Sequence, residues 1–320
     1  MREHLLFPDE VKTLIEARKP LLLAGEESLL RSLPKGQWLG GTIAYFMDGV
    51  GVSSREKIFV QELPEGVSFG GIAFYDAHGI EKVYAGLPEN GFGVVLMPAK
   101  SRTLFEFALH APDFPEFSFR PLVGWVTGTD LDDPDAKAKV FDGEGREFTE
   151  GALVMRCLLP QDKTAEVHIV NLFTQGEGDA IEFLEDGFSA RRALVNGQVV
   201  DFATYFRNLD IRLPLVADYN GAMINVCIEA VREEVSFFAP VFKGVVYKHA
   251  KPIGNYAQVF AEAMPKEPEG GSLAFACNCV LNYLYGSLEG RPTGKIAGPA
   301  TFGEIAYQLL NQTLVYLTIA

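Results

Sequence analysis

Long, almost uninterrupted apolar segments are the feature that most restricts the fold of this chain. Runs rich in Val, Ile, Leu and Phe occupy residues 92–97, 122–126, 152–159 and 273–279, with apolar side chains at successive positions and not only at alternate ones. A strand of this kind is buried on both faces, so it needs a packing layer above it and another below. The segments therefore predict sheets that are covered by helices.

Short amphipathic segments are predicted to supply those helices. Ser101, Asp201 and Asn255 are suitable N-cap residues, and apolar residues at helical spacing follow each of them. A further helix begins at Pro8, where two acidic residues in the first turn suit the helix dipole. Asn196-Gly197 predicts a tight hairpin turn between two strands. The predicted class is α/β (mixed α+β), with two sheet-containing halves and helices packed on the sheets.

The charge balance limits the classes of partner. Lys and Arg total 28 against 42 Asp and Glu in 320 residues, so the formal net charge is −14. A surface this acidic repels phosphate backbones and anionic lipids, so we expect no nucleic-acid partner and no membrane partner. No segment approaches the ~20 apolar residues of a membrane-spanning helix. Four cysteines make no disulfide framework, and we read no export signal, which together predict a cytoplasmic protein.

Several patterns suggest chemistry, but their spacing argues against each. Residues 66–70 match G-x-S-x-G, yet a strand follows where a nucleophile elbow needs a helix. The acidic residues 130–135 lack the Gly and the distal Glu of an EF-hand calcium loop, so they indicate a solvated turn. The five histidines are scattered, Cys277 and Cys279 have no second cysteine pair downstream, and the sequence has no phosphate-binding glycine loop. We therefore expect no metal site and no cofactor.

The C-terminal sequence is more distinctive. Residues 272–277 form an apolar strand that ends in cysteine, residues 301–305 read Thr-Phe-Gly-Glu-Ile, and residues 311–314 read Asn-Gln-Thr-Leu. In this order the three segments resemble the FIST family, which comprises ligand-sensing domains of bacterial signal-transduction proteins and of some F-box proteins. Short segments of the N-terminal half, among them residues 40–42 and 123–125, fall in the order that the family shows.

The resemblance has consequences for organisation and function. It implies a FIST N-like domain over residues 1–210, a FIST C-like domain over residues 211–320, and a small polar ligand such as an amino acid. The family commonly has an Arg shortly after the strand cysteine, whereas this chain has Val280 and then Asn282. The two halves occupy the whole sequence without a kinase, cyclase or receptor segment, so we expect any signal to pass to a separate signalling protein.

The resemblance also suggests where the ligand binds. We place the pocket where the turn at residues 40–42, the end of the Cys277 strand and residues 301–304 converge, because glycines there let the backbone approach a ligand closely. Glu304 would accept hydrogen bonds from a cationic group, and Arg291 or Lys295 would pair with an anionic one. No catalytic residue is assigned, and the predicted ligand-binding residues are Gly41, Thr42, Cys277, Asn278, Arg291, Thr301, Phe302, Gly303 and Glu304.

Two other functions stay open at this point. An enzyme would use Cys277 as nucleophile with Glu304 or His249 as acid/base, which requires a lowered thiol pKa and a base within hydrogen-bonding reach. A protein-interaction scaffold would account for 24 Phe and 11 Tyr, although aromatic residues also fill the interfaces between sheets and helices. A small-ligand-binding protein with a sensory role is the preferred hypothesis.

Overall fold

The computed structural model describes residues 4–133 and 135–320. Within these ranges it has six α-helices and two short 3-10 helices, Ile80–Lys82 and Ala111–Asp113. The α-helices are Pro8–Glu16 (α1), Glu27–Arg31 (α2), Arg102–His110 (α3), Phe202–Phe206 (α4), Tyr256–Ala263 (α5) and Val280–Tyr285 (α6).

Strands account for more of the chain than helices do. The first nine are Leu5–Leu6 (β1), Leu21–Gly25 (β2), Trp38–Thr42 (β3), Tyr45–Asp48 (β4), Val50–Ser53 (β5), Ile58–Glu62 (β6), Ser68–Tyr75 (β7), Gly91–Pro98 (β8) and Leu122–Thr127 (β9). The next nine are Val140–Asp142 (β10), Glu147–Phe148 (β11), Ala152–Leu158 (β12), Ala165–Asn171 (β13), Ile181–Phe183 (β14), Gly187–Ala190 (β15), Arg192–Val195 (β16), Gln198–Asp201 (β17) and Leu215–Tyr219 (β18). The last nine are Ala222–Val226 (β19), Ile228–Val231 (β20), Val235–Val241 (β21), Val246–His249 (β22), Ser272–Cys279 (β23), Gly298–Thr301 (β24), Glu304–Ala306 (β25), Gln308–Leu310 (β26) and Thr313–Ile319 (β27).

Local sequence signals set several of these boundaries. The side chain of Ser101 accepts a hydrogen bond from the backbone of Leu104 at 3.2 Å, so it caps α3. Asp201 and Asn255 cap α4 and α5 in the same way. Asn196 and Gly197 both have positive φ in the two-residue turn between β16 and β17, as a type I′ hairpin requires. The predicted caps and the predicted hairpin are confirmed.

The strands form five sheets. Sheet I has the order β1-β6-β2-β3-β10-β11, sheet II β26-β25-β9-β8-β12-β7 and sheet III β13-β27-β23-β24-β4-β5. Sheet IV has the order β17-β16-β14-β22-β18-β19, and sheet V consists of β15-β21-β20. The pairs β2–β3, β8–β9 and β23–β24 are parallel. This arrangement confirms the predicted mixed α/β class.

Sheets I, II and III stack with helices outside them, and the central core lies between the sheets. One face of sheet II packs against sheets I and III through side chains such as Leu39, Leu96 and Phe275. The ring of Trp125 stacks on that of Phe275 at 5.8 Å between centroids. Helix α3 covers the other face of sheet II, α1 covers sheet I, and α5 and α6 cover sheet III. The apolar runs of the sequence are therefore buried on both faces, as predicted.

Residues 181–249 form a smaller unit with a core of its own. Sheets IV and V enclose this core together with α4, and its large side chains include Phe183, Phe202, Phe237 and Tyr247. The predicted boundary between residues 210 and 211 falls inside this unit, and sheets II and III each combine strands from both sides of it. The division into residues 1–210 and 211–320 stays a prediction.

The edge strand β7 is irregular. It pairs with β12 through a β-bulge, where Gly70 and Gly71 lie opposite Arg156, and Gly71 has a φ of 92°. A bulge of this kind bends the strand and increases its twist.

None of the helices in the described part of the chain is long and apolar enough to cross a membrane.

Close contact between sheets I and II predicts the effect of a substitution at Gly41. A Cβ atom there would lie 2.4 Å from Cγ2 of Thr127 and 3.4 Å from Cδ1 of Leu96. We expect Gly41→Ala to lower the free energy of unfolding by about 1–3 kcal/mol, because both contacts belong to packed strands. Urea unfolding followed by circular dichroism measures the change. Gly178→Ala is the control, since nothing lies within 4 Å of its Cβ position, and equal effects of both substitutions would contradict the prediction.

Candidate functional site

The carboxyl ends of the parallel strands meet on one side of the molecule. Strands β2 and β3 end at Gly25 and Thr42, and strands β8 and β9 end at Pro98 and Thr127. The backbone amide of Gly128 donates to the carbonyl oxygen of Thr42 at 3.0 Å, which joins sheet II to sheet I at this point. Open α/β sheets bind their ligands at such strand ends.

Two adjoining cavities lie at these strand ends. The first, here called the Phe302 cleft, has a volume of about 440 Å³ and is lined by Lys100, Gly128 and Phe302 among others. The second, the Thr42 cleft, has a volume of about 360 Å³, and its lining includes Gly25 and Thr42. The two clefts share four lining residues, which are Thr129, Asp133, Ala136 and Lys137.

Acidic side chains outnumber basic ones around the two clefts. The described lining residues include the carboxylates of Glu26, Glu27, Asp130, Asp133 and Asp135, and the cations of Arg31, Lys100 and Lys137. Two of these cations already have carboxylate partners, because Arg31 contacts Glu27 and Glu147 while Lys100 pairs with Glu229 at 3.0 Å. Glu26, Asp130 and Asp133 in turn contact Arg55, and Asp135 has no ion pair within the described part of the chain. The clefts therefore favour a ligand that carries positive charge.

Arg55 and Tyr45 hold the acidic loop that separates the clefts. The guanidinium of Arg55 lies 3.4 Å from a carboxylate oxygen of Asp130 and 3.5 Å from one of Asp133. The hydroxyl of Tyr45 donates to Asp130 at 3.1 Å and accepts from the backbone of Leu131 at 3.0 Å. Part of the segment 130–135, which was predicted to be a solvated turn, therefore has side-chain contacts with the rest of the protein. Pro134 lies outside the described residues. No described group of acidic, His or Cys residues is arranged to hold a metal ion.

The position of Phe302 depends on the glycine opposite it. A Cβ atom on Gly128 would overlap the ring of Phe302, with a separation of only 1.9 Å from Cδ2. The missing side chain lets the aromatic ring lie directly on the backbone that ends β9, where it forms one wall of the Phe302 cleft.

Two buried polar groups lie close to Gly41, just inside the protein. Nε1 of Trp125 and Oγ1 of Thr127 have no hydrogen-bond partner among residues 4–133 and 135–320. The indole nitrogen is 3.3 Å from the Cβ position of Gly41. Unpaired buried donors are unusual in proteins, so this part of the interface between sheets I and II is polar but not satisfied.

Glu304, which the sequence analysis predicts as a ligand contact, is completely buried. Its Oε2 accepts hydrogen bonds from the amide of Thr313 at 3.2 Å and from the hydroxyl of that residue at 2.9 Å. Oγ1 of Thr301 lies 3.3 Å from Oε1, and the thiol of Cys279 is a further hydrogen-bond partner. Burial raises the pKa of Glu304 to about 8, because these uncharged partners only partly replace the lost hydration.

The protonated form of Glu304 completes a hydrogen-bond chain. A proton on Oε1 can be donated to Oγ1 of Thr301, whose own hydrogen is then free for the carbonyl oxygen of Asn278 at 3.1 Å. Because the pKa of Glu304 is about 8, the carboxyl group is mostly neutral at pH 7. It then donates a hydrogen bond to Thr301 and accepts hydrogen bonds from Thr313.

The polar network continues beyond Asn278 through residues that the sequence analysis did not select. The amide of Asn282 donates to Oδ1 of Asn278 at 2.9 Å, and the hydroxyl of Tyr256 donates to Asn282 at 2.5 Å. Nε2 of Gln312 donates to Tyr256 at 3.2 Å, and the thiol of Cys227 donates to Oε1 of Gln312 at 2.8 Å. The only sequence feature that pointed to any of these network residues was the position of Gln312 inside the Asn-Gln-Thr motif.

The thiols of this region are neutral and enclosed. Cys277 is fully buried, and its Sγ donates to the carbonyl oxygen of Gly124 at 3.4 Å. Burial, and after it the negative charge of an ionised Glu304, raise the pKa of Cys277 well above its usual value. Burial has the same effect on Cys157, Cys227 and Cys279, and all four cysteines are free.

The structure brings together most, but not all, of the predicted ligand-binding residues. Thr42 and Phe302 line the clefts, and Gly41 precedes Thr42 in β3, on the side of the protein interior. Cys277, Asn278, Thr301, Gly303 and Glu304 belong to the adjoining buried polar network. Arg291 is exposed in the loop that follows α6, where its carbonyl oxygen accepts from Gly51 at 2.9 Å.

The other two side chains considered for the site also lie elsewhere. The exposed Lys295 pairs with Glu267. His249 belongs to sheet IV, where its Nε2 lies 3.0 Å from the carbonyl oxygen of Asp210 and its ring contacts Phe206 edge to face. Neither residue takes part in the network around Glu304.

Fold and site together define a mixed α/β protein with a pair of acidic clefts at the carboxyl ends of its parallel strands. The chain belongs to DUF6976, a family of unknown function, and the match extends over residues 6–320. None of the curated proteins matches the sequence, and none of the solved structures does. The resemblance to FIST domains stays a prediction.

The buried carboxyl group predicts a specific dependence of stability on pH. The folded state keeps a proton on Glu304 up to about pH 8, whereas the unfolded chain releases it near the ordinary value of 4.5. Between these values the folded state holds more protons, so its stability falls as pH rises. At about 1.4 kcal/mol per pH unit the loss through this group is roughly 4 kcal/mol.

Glu304→Gln removes the titrating proton but keeps the shape and the hydrogen bonds. We expect the free energy of unfolding of this variant, measured in urea, not to show the decline through Glu304 between pH 5 and pH 8. The difference in free energy of unfolding between the variant and the original protein therefore changes with pH. Glu65→Gln, at an exposed position, is the matched control and should leave the original pH profile in place. Parallel profiles of the original protein and the Glu304 variant would contradict the prediction.

Burial also predicts the reactivity of the thiols. We expect no cysteine of the folded protein to react with 5,5′-dithiobis(2-nitrobenzoate) within minutes at pH 7.5, since thiolate formation and access are both suppressed. The same titration in guanidinium chloride should release one equivalent for each of the four cysteines. Rapid modification of Cys277 in the folded state would instead support the nucleophile hypothesis.

Proposed function

We propose that this protein binds a small polar metabolite with a cationic group, such as an amino acid, in the Phe302 and Thr42 clefts. One observation carries the proposal. The carboxyl ends of two parallel strand pairs, β2–β3 and β8–β9, converge on two adjoining clefts with a mainly acidic lining. The volumes of about 440 and 360 Å³ suit ligands of this size, since small-molecule sites commonly enclose roughly 300–1,000 Å³.

The charges around the clefts suggest how such a ligand is oriented. Asp135 lines the Thr42 cleft and Asp133, which also contacts Arg55, lines both clefts, so an ammonium group would find carboxylate partners there. Lys137 also lines both clefts and has no ion pair within the described part of the chain, which leaves its ammonium group for a ligand carboxylate. Opposite charges in fixed positions select for a zwitterion over a simple amine.

Other features support binding over the two alternatives. A nucleophile must be accessible and ionisable, whereas Cys277 is fully buried with a raised pKa and His249 lies in another sheet. An interaction scaffold needs a contiguous apolar surface. The most exposed large apolar residues of the described chain, Phe119, Val199 and Phe7, belong to separate segments.

The sensory role is a further part of the proposal. It is supported by the resemblance to FIST domains, which implies that ligand occupancy is read by a separate signalling protein in the cytoplasm. The acidic loop between the clefts, held by Arg55 and Tyr45, is the segment that a ligand would contact first.

A thermal-shift screen against amino acids and small amines tests the proposed function. A selective ligand at about a hundred times its Kd should stabilise the protein by roughly 2.7 kcal/mol, which corresponds to a rise of roughly 5 °C in Tm. Ala136→Trp should abolish the shift, because Ala136 lines both clefts and is exposed, so the indole can fill them without disturbing the core. Ala85→Trp is the control, at an exposed position in another segment.

The charge of the ligand provides a second criterion. Asp133→Asn should weaken the shift caused by an amino acid but not one caused by a carboxylic acid that lacks the amine. A ligand whose shift is the same in the Ala136→Trp and Ala85→Trp variants would show that binding occurs outside the clefts and would refute the assignment.

A further inference from the structure

A larger cavity lies at the opposite end of β3 from the two clefts. It has a volume of about 620 Å³ and is bounded by the end of α1, the segment before β3, strand β7 and the turn after β10. Its lining is partly apolar, through Ile15, Phe69 and Ile72. Phe69 and Ile72 also pack on the central core, so the apolar wall of this cavity is anchored in the interior of the protein.

Three cations and three carboxylates line the same cavity. The cations are Arg18, Lys35 and Arg146, and the carboxylates are Glu16, Asp142 and Glu144. They are not equally available to a ligand, because several of them already have partners inside the protein.

Two of the carboxylates, Asp142 and Glu144, already have partners within the protein. Asp142 is 1% exposed and accepts hydrogen bonds from the amides of Glu144 and Arg146 at 3.1 and 3.0 Å, and from Nε of Arg146 at 2.6 Å. Glu144 pairs with Lys35 at 3.9 Å. The pair with Asp142 uses Nε of Arg146, so the terminal nitrogens of this guanidinium are directed elsewhere and can donate to a ligand.

Arg18 is the most available cation. Its side chain has no hydrogen bond and no ion pair with any residue of the ranges 4–133 and 135–320, and it lies at the cavity. It has a φ of 57° at the position after the C-cap of α1, where the amide of Lys19 donates to the carbonyl oxygen of Leu14 at 3.2 Å. Helices usually end with glycine at this position. A bulky cation is therefore held in a conformation that favours glycine.

A fourth cation, Arg156, lies next to Gly71, one of the residues that line the cavity. Nη2 of Arg156 is 3.3 Å from the Cβ position of that glycine, which lines the cavity. The buried Nε of Arg156 has no hydrogen-bond partner in the described chain. A buried cationic donor without a partner is costly unless an anion or water compensates it.

We propose that this cavity is a second binding site, which takes an organic anion consisting of a carboxylate, sulfonate or phosphate group on an apolar body. The anionic group pairs with the guanidinium of Arg18, for which planar two-pronged contacts to such anions are typical. Lys35 and Arg146 of the same lining contribute further positive charge. The apolar body lies against Phe69 and Ile72. The site shares no lining residue with the two clefts, so it stands whether or not they bind a metabolite.

Fluorescence titration with 8-anilinonaphthalene-1-sulfonate tests this site, because the probe combines an anion with an aromatic body. We expect Arg18→Gly and Lys35→Gln each to weaken its binding about tenfold, and the double variant to weaken it further. Arg18→Gly suits the φ of this position, so the fold is preserved. Lys12→Gln is the control, since it removes one positive charge from α1, close to Arg18 in sequence, but Lys12 does not line the cavity.

Two further probes separate charge from hydrophobicity. N-phenyl-1-naphthylamine has the same rings without the sulfonate, and we expect it to bind at least tenfold more weakly and equally in all variants. Inorganic phosphate should compete with the sulfonate probe only weakly, because it lacks the apolar body. Unchanged sulfonate binding in the Arg18→Gly, Lys35→Gln double variant, or equal affinity for the uncharged probe, would overturn the proposal.

Discussion

The close approach of strands β3 and β9 is the constraint on which the rest of the arrangement depends. Sheets I and II touch where Gly41 faces Thr127 and where the amide of Gly128 donates to Thr42. A side chain larger than hydrogen at Gly41 would separate these strands, and one at Gly128 would displace the ring of Phe302. Their contact brings the carboxyl ends of β2, β3, β8 and β9 to one side of the protein, and the clefts with their acidic loop exist only because these ends meet.

Local sequence information was sufficient for part of the structure. The caps of α3, α4 and α5 and the turn at Asn196 were predictable, because each depends on hydrogen bonds or dihedral angles within a few residues. The resemblance to FIST domains predicted a ligand contact at Glu304, which stays a prediction, and the structure buries this side chain among Thr301, Thr313 and Cys279.

Long-range pairing explains what the sequence did not reveal. Arg291 follows glycine in a basic loop, which suggested a ligand contact, but the pairing of this loop with residues 49–51 leaves its side chain in solvent. Gln312, Tyr256 and Cys227 lie far apart in sequence and meet only through the order of the strands. The cavity beside Arg18 was missed for the same reason, since its cations come from residues 18, 35 and 146. Spacing along the chain carries no signal for such contacts.

The bulge in β7 has a consequence for association between molecules. This eight-residue strand is the outer strand of sheet II, and a straight strand of that length would offer a row of free backbone groups for another chain to pair with. Gly70 and Gly71 interrupt the row, and the added twist turns the two halves of the strand in different directions. Gly71, which lines the cavity beside Arg156, thus also helps to protect the edge of the sheet from association with another chain.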